Sequence, residues 1–166
     1  MKPLFLALRA KLNNYDKIQS DFSTLIQGKW VADENLHITI NYFGDKYSKD
    51  ELLQKLPPLI IPIQPLNLYG LGYFEKNNIL YSKSEIGGLD NLSNLINKEF
   101  SLKQAKEFIP HVTLMRIKNI TDRNGFQKMI DSYKNEELGS VETNLELMES
   151  EIRHPGGAVY SSIKKF

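Results

Sequence analysis

One pattern of residues occurs twice in the chain, as Asn35-Leu36-His37-Ile38-Thr39-Ile40 and as Ile109-Pro110-His111-Val112-Thr113-Leu114. In each copy a His and a Thr alternate with apolar residues, and alternation with a period of two is typical of a strand with one buried face. The His and the Thr of each copy therefore lie on one face of a strand, with the apolar residues on the other. The repetition, with a helix predicted before each copy, indicates two equivalent halves.

Length and composition limit the fold and the kinds of partner. With 166 residues and 41% hydrophobic content, the chain can bury one sizeable core, and we expect a single domain over residues 1–166. Its formal net charge of +1 supplies no general attraction to nucleic acid, so an RNA contact must be a local patch. We expect the protein to act as a monomer.

The absence of cysteine and the hydropathy bear on compartment and chemistry. The chain has no cysteine, which excludes disulfides and thiolate chemistry and leaves His, Asp, Glu and oxygen donors for a metal. The apolar run that begins at Pro3 ends at Arg9, too early for a signal-peptide core. No stretch approaches the roughly 20 apolar residues that cross a bilayer. We therefore expect a soluble cytoplasmic protein with no membrane partner.

Periodicity and turn residues predict strands interrupted by helices. Ser48 and Glu51 have the spacing of a capping box, and Gly28 is predicted to end an earlier helix. The first half is predicted to contain a strand at residues 4–8, a helix at 18–26, a strand at 36–42, a helix to residue 56 and a strand at 59–71 with Pro62 and Pro65 inside it. The second half is predicted to contain strands at 79–83, 109–117, 138–150 and 158–163, helices at 89–96 and 125–133, and a last turn at Pro155-Gly156-Gly157. This order favours an α+β domain with antiparallel sheet.

The two His-x-Thr strands suit phosphoryl chemistry if they face each other. Two imidazoles and two hydroxyls would then converge on one small volume. Opening a cyclic phosphate requires one group to take a proton and another to give one, and histidine, with an ordinary pKa of about 6.5, exists in both forms near neutral pH. The hydroxyls of Thr39 and Thr113 can donate to the non-bridging oxygens, where charge develops. The scheme needs no metal and no cofactor.

The chain resembles the two-histidine phosphoesterase superfamily, and within it the bacterial and archaeal RNA 2′,3′-cyclic phosphodiesterases, once described as 2′-5′ RNA ligases. The stretches that carry the resemblance are the two motifs, Lys29-Trp30-Val31, Phe43-Gly44-Asp45, Leu4-Phe5-Leu6-Ala7-Leu8, Ser150-Glu151 and residues 157–160. It implies a bilobal, pseudo-twofold arrangement of antiparallel sheets with flanking helices around a central groove. It also implies that His37 protonates the leaving O3′ of an RNA 2′,3′-cyclic phosphate while His111 activates water, which leaves a 2′-phosphomonoester. The residues themselves do not distinguish the two roles.

Two further candidates follow the histidines at equal spacing. Tyr42 lies five residues after His37, and Arg116 lies five residues after His111. The resemblance implies that both positions contact the nucleotide: an arginine can bind phosphate and a tyrosine can stack on a base. Strict alternation places both side chains on the faces opposite the histidines, so a bulge or a strand end is required to bring them round. The third histidine, His154, is predicted to lie in a turn away from the substrate.

Three alternatives remain open at the level of sequence. The same fold can act on 2′-5′-linked oligonucleotides, on another cyclic nucleotide or on an ADP-ribose cyclic phosphate, since the same four residues serve each. A non-catalytic module can use the motifs to bind an RNA end, although such a clip has no need of two histidines. A metal-dependent hydrolase would combine the histidines with Asp33, Glu34 or Asp45, but these acids lack the helical spacing of common zinc motifs.

Overall fold

The fold of this computed structural model combines helices with antiparallel sheet, and the structure describes residues 2–103, 107–153 and 157–166. The strands are β1 (Leu4–Leu12), β2 (Ile26–Trp30), β3 (His37–Gly44), β4 (Leu66–Phe74), β5 (Ile79–Ser84), β6 (His111–Ile120), β7 (Glu137–Arg153) and β8 (Gly157–Lys165). The helices are α1 (Tyr15–Phe22), α2 (Lys49–Lys55), α3 (Leu89–Glu99) and α4 (Arg123–Ser132). The predicted α+β class with antiparallel sheet is confirmed.

The strands form two groups that meet along two seams. One group has the order β3-β1-β7-β8 and the other the order β2-β6-β5-β4, with antiparallel pairing throughout. Strand β3 pairs with β6 at one seam, and β4 pairs with β7 at the other. The groups correspond to the two predicted lobes, and the two motif strands, β3 and β6, meet at the first seam. That the whole chain is one domain stays a prediction.

The core lies beneath this sheet, against the helices. The middle residues of the two motifs, Ile38 and Val112, have no exposed surface. Helix α3 packs on β3 and α4 packs on β4, so each lobe has a helical layer behind it. Helix α2 begins with the predicted capping box, in which the backbone N–H of Glu51 donates to Ser48 Oγ at 3.2 Å and that of Ser48 donates to Glu51 Oε2 at 3.0 Å. That prediction is confirmed.

The predicted first helix is too long, because its last turn is a separate strand. Helix α1 ends at Phe22, and Ile26 begins β2, where it pairs with Ile120. Gly28 does not end a helix; it lies opposite Ile117, where a Cβ would come within 2.6 Å of the Arg116 carbonyl oxygen. Glycine is therefore required for the close approach of β2 to β6. As a result, a strand intervenes between α1 and the first motif.

The predicted strand at residues 59–71 begins later in the structure. A short 3-10 turn occupies Pro57–Leu59, and β4 starts only at Leu66, directly after Pro65. Both Pro62 and Pro65 lie in the irregular segment between them, because proline has no N–H to give to a sheet. In α3, Leu95 is exposed rather than buried with Leu92. Of the predicted last turn, Gly157 opens β8, while Pro155 and Gly156, together with His154, lie outside the described residues.

The buried middle of a motif is predicted to be a main source of stability. Ile38→Ala should lower the free energy of unfolding by about 2–5 kcal/mol, because it leaves a cavity at a fully buried site. Ile152→Ala is the matched control, since Ile152 is 71% exposed and a surface change is expected within about 0.5 kcal/mol. Urea unfolding of both variants measures the difference. Equal losses would contradict the placement of Ile38 in the core.

Candidate active site

The register of the two motif strands positions the candidate catalytic groups. Strands β3 and β6 are antiparallel and Ile38 pairs with Val112. Because both of these side chains point into the core, their neighbours in the motifs point to the other face. The same register sets His37 across from Thr113 and Thr39 across from His111. The two histidines are therefore diagonal neighbours, and ordinary sheet geometry puts the Cα atoms of such neighbours about 7–8 Å apart. We call this surface, with the two histidines and two threonines, the motif face.

Both imidazoles are anchored in the same way. Nδ1 of His37 lies 2.7 Å from the carbonyl oxygen of Asn35, and Nδ1 of His111 lies 2.7 Å from that of Ile109. A carbonyl only accepts, so Nδ1 carries the hydrogen in each case, and in the neutral ring Nε2 is an acceptor. Nε2 of His37 lies 3.1 Å from Thr39 Oγ1. Each histidine therefore presents Nε2 as the atom that can take or give a proton.

Two aromatic rings flank each histidine. Phe5 and Tyr160 lie with their ring centroids 5.3 Å and 5.0 Å from that of His37. Phe74 and Tyr81 lie 5.0 Å and 5.5 Å from the ring of His111. These contacts limit the rotation of the imidazoles and reduce their contact with water. None of the four rings was predicted as part of the site, because all of them come from strands outside the two motifs.

The surroundings of His37 disfavour its charged form. Burial lowers the pKa of His37 below its ordinary value. The hydrogen bond to the Asn35 carbonyl opposes this shift, and the positive charges of Arg9 and His111 lower the pKa further. Burial also raises the pKa of the Tyr160 hydroxyl, and the nearby charge of Arg116 partly offsets that rise. In the free protein, His37 is therefore neutral over a wider pH range than an exposed histidine. The charge of a bound phosphate favours its protonation.

Arg9 connects the first motif to the rest of its lobe. It lies opposite His37 on β1, its Nε donates to the buried carboxylate of Glu146 at 2.7 Å, and its Nη1 donates to the Glu34 carbonyl oxygen at 3.0 Å. Ser162 donates to the other oxygen of Glu146 at 3.1 Å. These contacts fix the chain just before His37. The sequence signal for Arg9 was an arginine that ends the apolar run at the start of β1.

A bulge in each motif strand turns the remaining two candidates toward the motif face. On β3, Thr39 pairs with Ala7 and Asn41 with Leu6, so Ile40 is an extra residue. On β6, Thr113 pairs with Tyr81 and Met115 with Leu80, which makes Leu114 the extra residue. Each bulge follows its threonine directly and reverses the alternation of faces beyond it.

Tyr42 and Arg116 both follow these bulges. Tyr42 pairs with Phe5, and Arg116 pairs with Ile79. Directly opposite residues point to the same side of a sheet, and the Phe5 ring is one of the two that flank His37. Tyr42, which is 60% exposed, therefore borders the motif face, and Arg116 does so in the other half. The structure brings together all six candidates: His37, Thr39, Tyr42, His111, Thr113 and Arg116.

The described residues contain neither a metal cluster nor a membrane-spanning helix. Among them, no group of three His, Asp or Glu side chains is arranged to hold a metal ion. Within the same part of the chain, every helix is too short or too polar to cross a bilayer.

Comparison with known proteins assigns the chain to a family. A family model described as the AKAP7 2′5′ RNA ligase-like domain matches residues 8–166. The chain belongs to this family. The predicted resemblance to the two-histidine phosphoesterases and their 2′-5′ RNA ligase-like members is thereby confirmed.

Relatives of this family member align over most of their length. The RNA 2′,3′-cyclic phosphodiesterase of Aquifex aeolicus is 29% identical, with 91% of this chain and 87% of the relative covered. That of Methanocaldococcus jannaschii is also 29% identical, with 98% and 99% covered. Among solved structures, TT0787 of Thermus thermophilus aligns with a TM-score of 0.70 and 25% identity over 99% of this chain and 96% of its own. E. coli LigT complexed with NADP+ has the same fold, with a TM-score of 0.67 and 21% identity over 99% and 96%.

The contribution of Arg9 to the pKa of His37 is testable in the free protein. Arg9→Met removes a positive charge beside the imidazole, so the pKa of His37 should rise toward its ordinary value of about 6.5. Histidine NMR signals followed against pH measure it. Lys11→Met, two residues along β1 at an exposed position, is the matched control and should leave the titration unchanged. An unchanged or lower pKa of His37 in Arg9→Met would contradict the electrostatic account.

Proposed function

We propose that this protein hydrolyses the 2′,3′-cyclic phosphate at the end of an RNA to a 2′-phosphomonoester without a metal. The observation that carries the proposal is the pairing of Ile38 with Val112, which sets two imidazoles on one face, each with Nδ1 bonded to a backbone carbonyl and Nε2 left for proton transfer. The names of the curated relatives, RNA 2′,3′-cyclic phosphodiesterases from four organisms, support the substrate. We further propose that it acts in the cytoplasm as a monomer; a chain without cysteine suits a reducing compartment.

The reaction requires an acid and a base on opposite sides of one phosphorus atom. His111 Nε2 takes a proton from water as the water oxygen bonds to phosphorus. His37 Nε2–H gives a proton to O3′ as the bond between phosphorus and O3′ breaks. The 2′ ester bond remains, and the product is a 2′-phosphate. The diagonal placement of the two histidines suits such an in-line displacement, and the family resemblance supports the assignment of the two roles.

The remaining candidates bind the substrate in this proposal. Thr39 and Thr113, each across from the opposite histidine in the motif register, donate to the non-bridging oxygens, where negative charge increases in the transition state. Arg116 pairs with the phosphate charge. Tyr42, more than half exposed beside the motif face, offers its ring to the terminal base.

Hydrolysis of a short RNA with a 2′,3′-cyclic end, in the presence of EDTA, tests the proposal. The wild type should form a 2′-phosphate, and His37→Ala and His111→Ala should each lower kcat by about 10²–10⁴, the usual contribution of one acid or base. Lys128→Ala, at an exposed position on α4, is the matched control and should keep full activity.

Three outcomes would overturn the proposed reaction. Loss of wild-type activity in EDTA would favour the metal-dependent alternative. Binding of the RNA end without turnover would favour the binding module. A 3′-phosphate product would reverse the choice of leaving group.

The proposed role of Arg116 predicts an effect on substrate affinity. Arg116→Gln should raise KM for the cyclic end about ten-fold, since a hydrogen bond to a charged group contributes about 1.5–3 kcal/mol. Steady-state kinetics at several salt concentrations measure this, with Lys128→Gln as the control for general loss of positive charge. An unchanged KM in Arg116→Gln would remove Arg116 from the binding site.

A further inference from the structure

The two lobes correspond residue by residue beside the motifs, and each histidine has a cationic residue opposite it. On β1, Arg9 pairs with His37; on β5, Lys83 pairs with His111. Direct cross-strand partners point to the same side of a sheet. Lys83 is therefore on the motif face next to His111, as Arg9 is next to His37.

The two cations differ in their counter-charge. Arg9 is neutralised by Glu146, which lies on β7 opposite Ala7. In the other lobe, Tyr81 on β5 corresponds to Ala7, because each lies opposite the threonine of its motif. The residue that lies opposite Tyr81 on the next strand, β4, is Gly72. A Cβ at Gly72 would lie 2.4 Å from Cζ of Tyr81, so the Tyr81 ring occupies the space that a side chain would need.

Lys83 consequently keeps its charge available for a ligand. Within residues 2–103, 107–153 and 157–166, no carboxylate forms a salt bridge with its ammonium group. An ammonium group beside the reaction centre, without an acid from its own lobe, is suited to an anion that the substrate brings.

An exposed aromatic ring lies one strand further out. Tyr69 on β4 pairs with Lys83 and is 41% exposed. His111, Lys83 and Tyr69 therefore form a row across β6, β5 and β4 on one face, with steps of about 4.8 Å between strands. From the site of reaction outward, the row therefore consists of an imidazole, an ammonium group and an aromatic ring.

We propose that Lys83 and Tyr69 form a subsite for the nucleotide that precedes the cyclic end. Lys83 binds the phosphodiester on the 5′ side of the terminal nucleoside, and the ring of Tyr69 stacks on the preceding base, since aromatic rings stack on bases of any sequence. The proposal rests on the proposed function and narrows its substrate class: the site is built for an RNA chain rather than a cyclic mononucleotide.

The test compares two substrates that differ only in that nucleotide. They are adenosine 2′,3′-cyclic phosphate and the dinucleotide ApA with a 2′,3′-cyclic end. The wild type should have a higher kcat/KM on the dinucleotide. Lys83→Met and Tyr69→Ala should each lower the ratio of the two kcat/KM values about ten-fold, whereas Lys83→Arg should largely retain it. Lys128→Met is the charge-matched control, and Lys83→Gln replaces Lys83→Met if that variant does not fold.

The outcomes separate this proposal from the proposed function. If the wild type hydrolyses both substrates but the ratio is unchanged in Lys83→Met and Tyr69→Ala, the subsite is overturned while the function stands. Equal loss on both substrates would likewise overturn it, because Lys83 would then act on the cyclic phosphate itself. A wild type that hydrolyses neither substrate would overturn the proposed function.

Discussion

Ile38 and Val112 pair across two antiparallel strands, and neither side chain is exposed. Because the pairing is antiparallel, a local twofold axis passes between the two residues. It relates the residues of β3 to those of β6 that lie at the same distance from this pair. The burial of the two apolar side chains forces the histidines and threonines to the other face. A one-residue slip in this register would send them into the core. Packing of two apolar residues thus determines the geometry of four polar ones.

The twofold relation extends beyond the four motif residues. Each motif strand has a bulge directly after its threonine, and each imidazole holds its Nδ1–H on the carbonyl two residues earlier. The surroundings of the two histidines nevertheless differ. His37 is buried beside the Arg9–Glu146 pair, whereas His111 lies beside Lys83. In the proposed reaction, these different neighbours distinguish the histidine that acts as acid from the one that acts as base, although the sequence motif is the same.

The sequence was sufficient for features that depend on local pattern. The strands at His37 and His111, the face on which each His and Thr lies, and the capping box at Ser48 all follow from spacing. The bulges after Thr39 and Thr113 do not, because they depend on register with β1 and β5. Strand β2 was missed because Ile26 also fits a helical period and its partner, Ile120, is distant in the chain. The Arg9–Glu146 contact joins residues 137 positions apart, beyond the reach of any local pattern.

The proposed reaction requires one phosphate to be held between the two imidazoles. Titration of protein with ¹⁵N-labelled histidine by uridine 2′-phosphate, a product of the proposed reaction, tests it most directly. The Nε2 resonances of both His37 and His111 should shift along a single binding curve. Binding that moves only one of them would contradict a site shared by the two motifs.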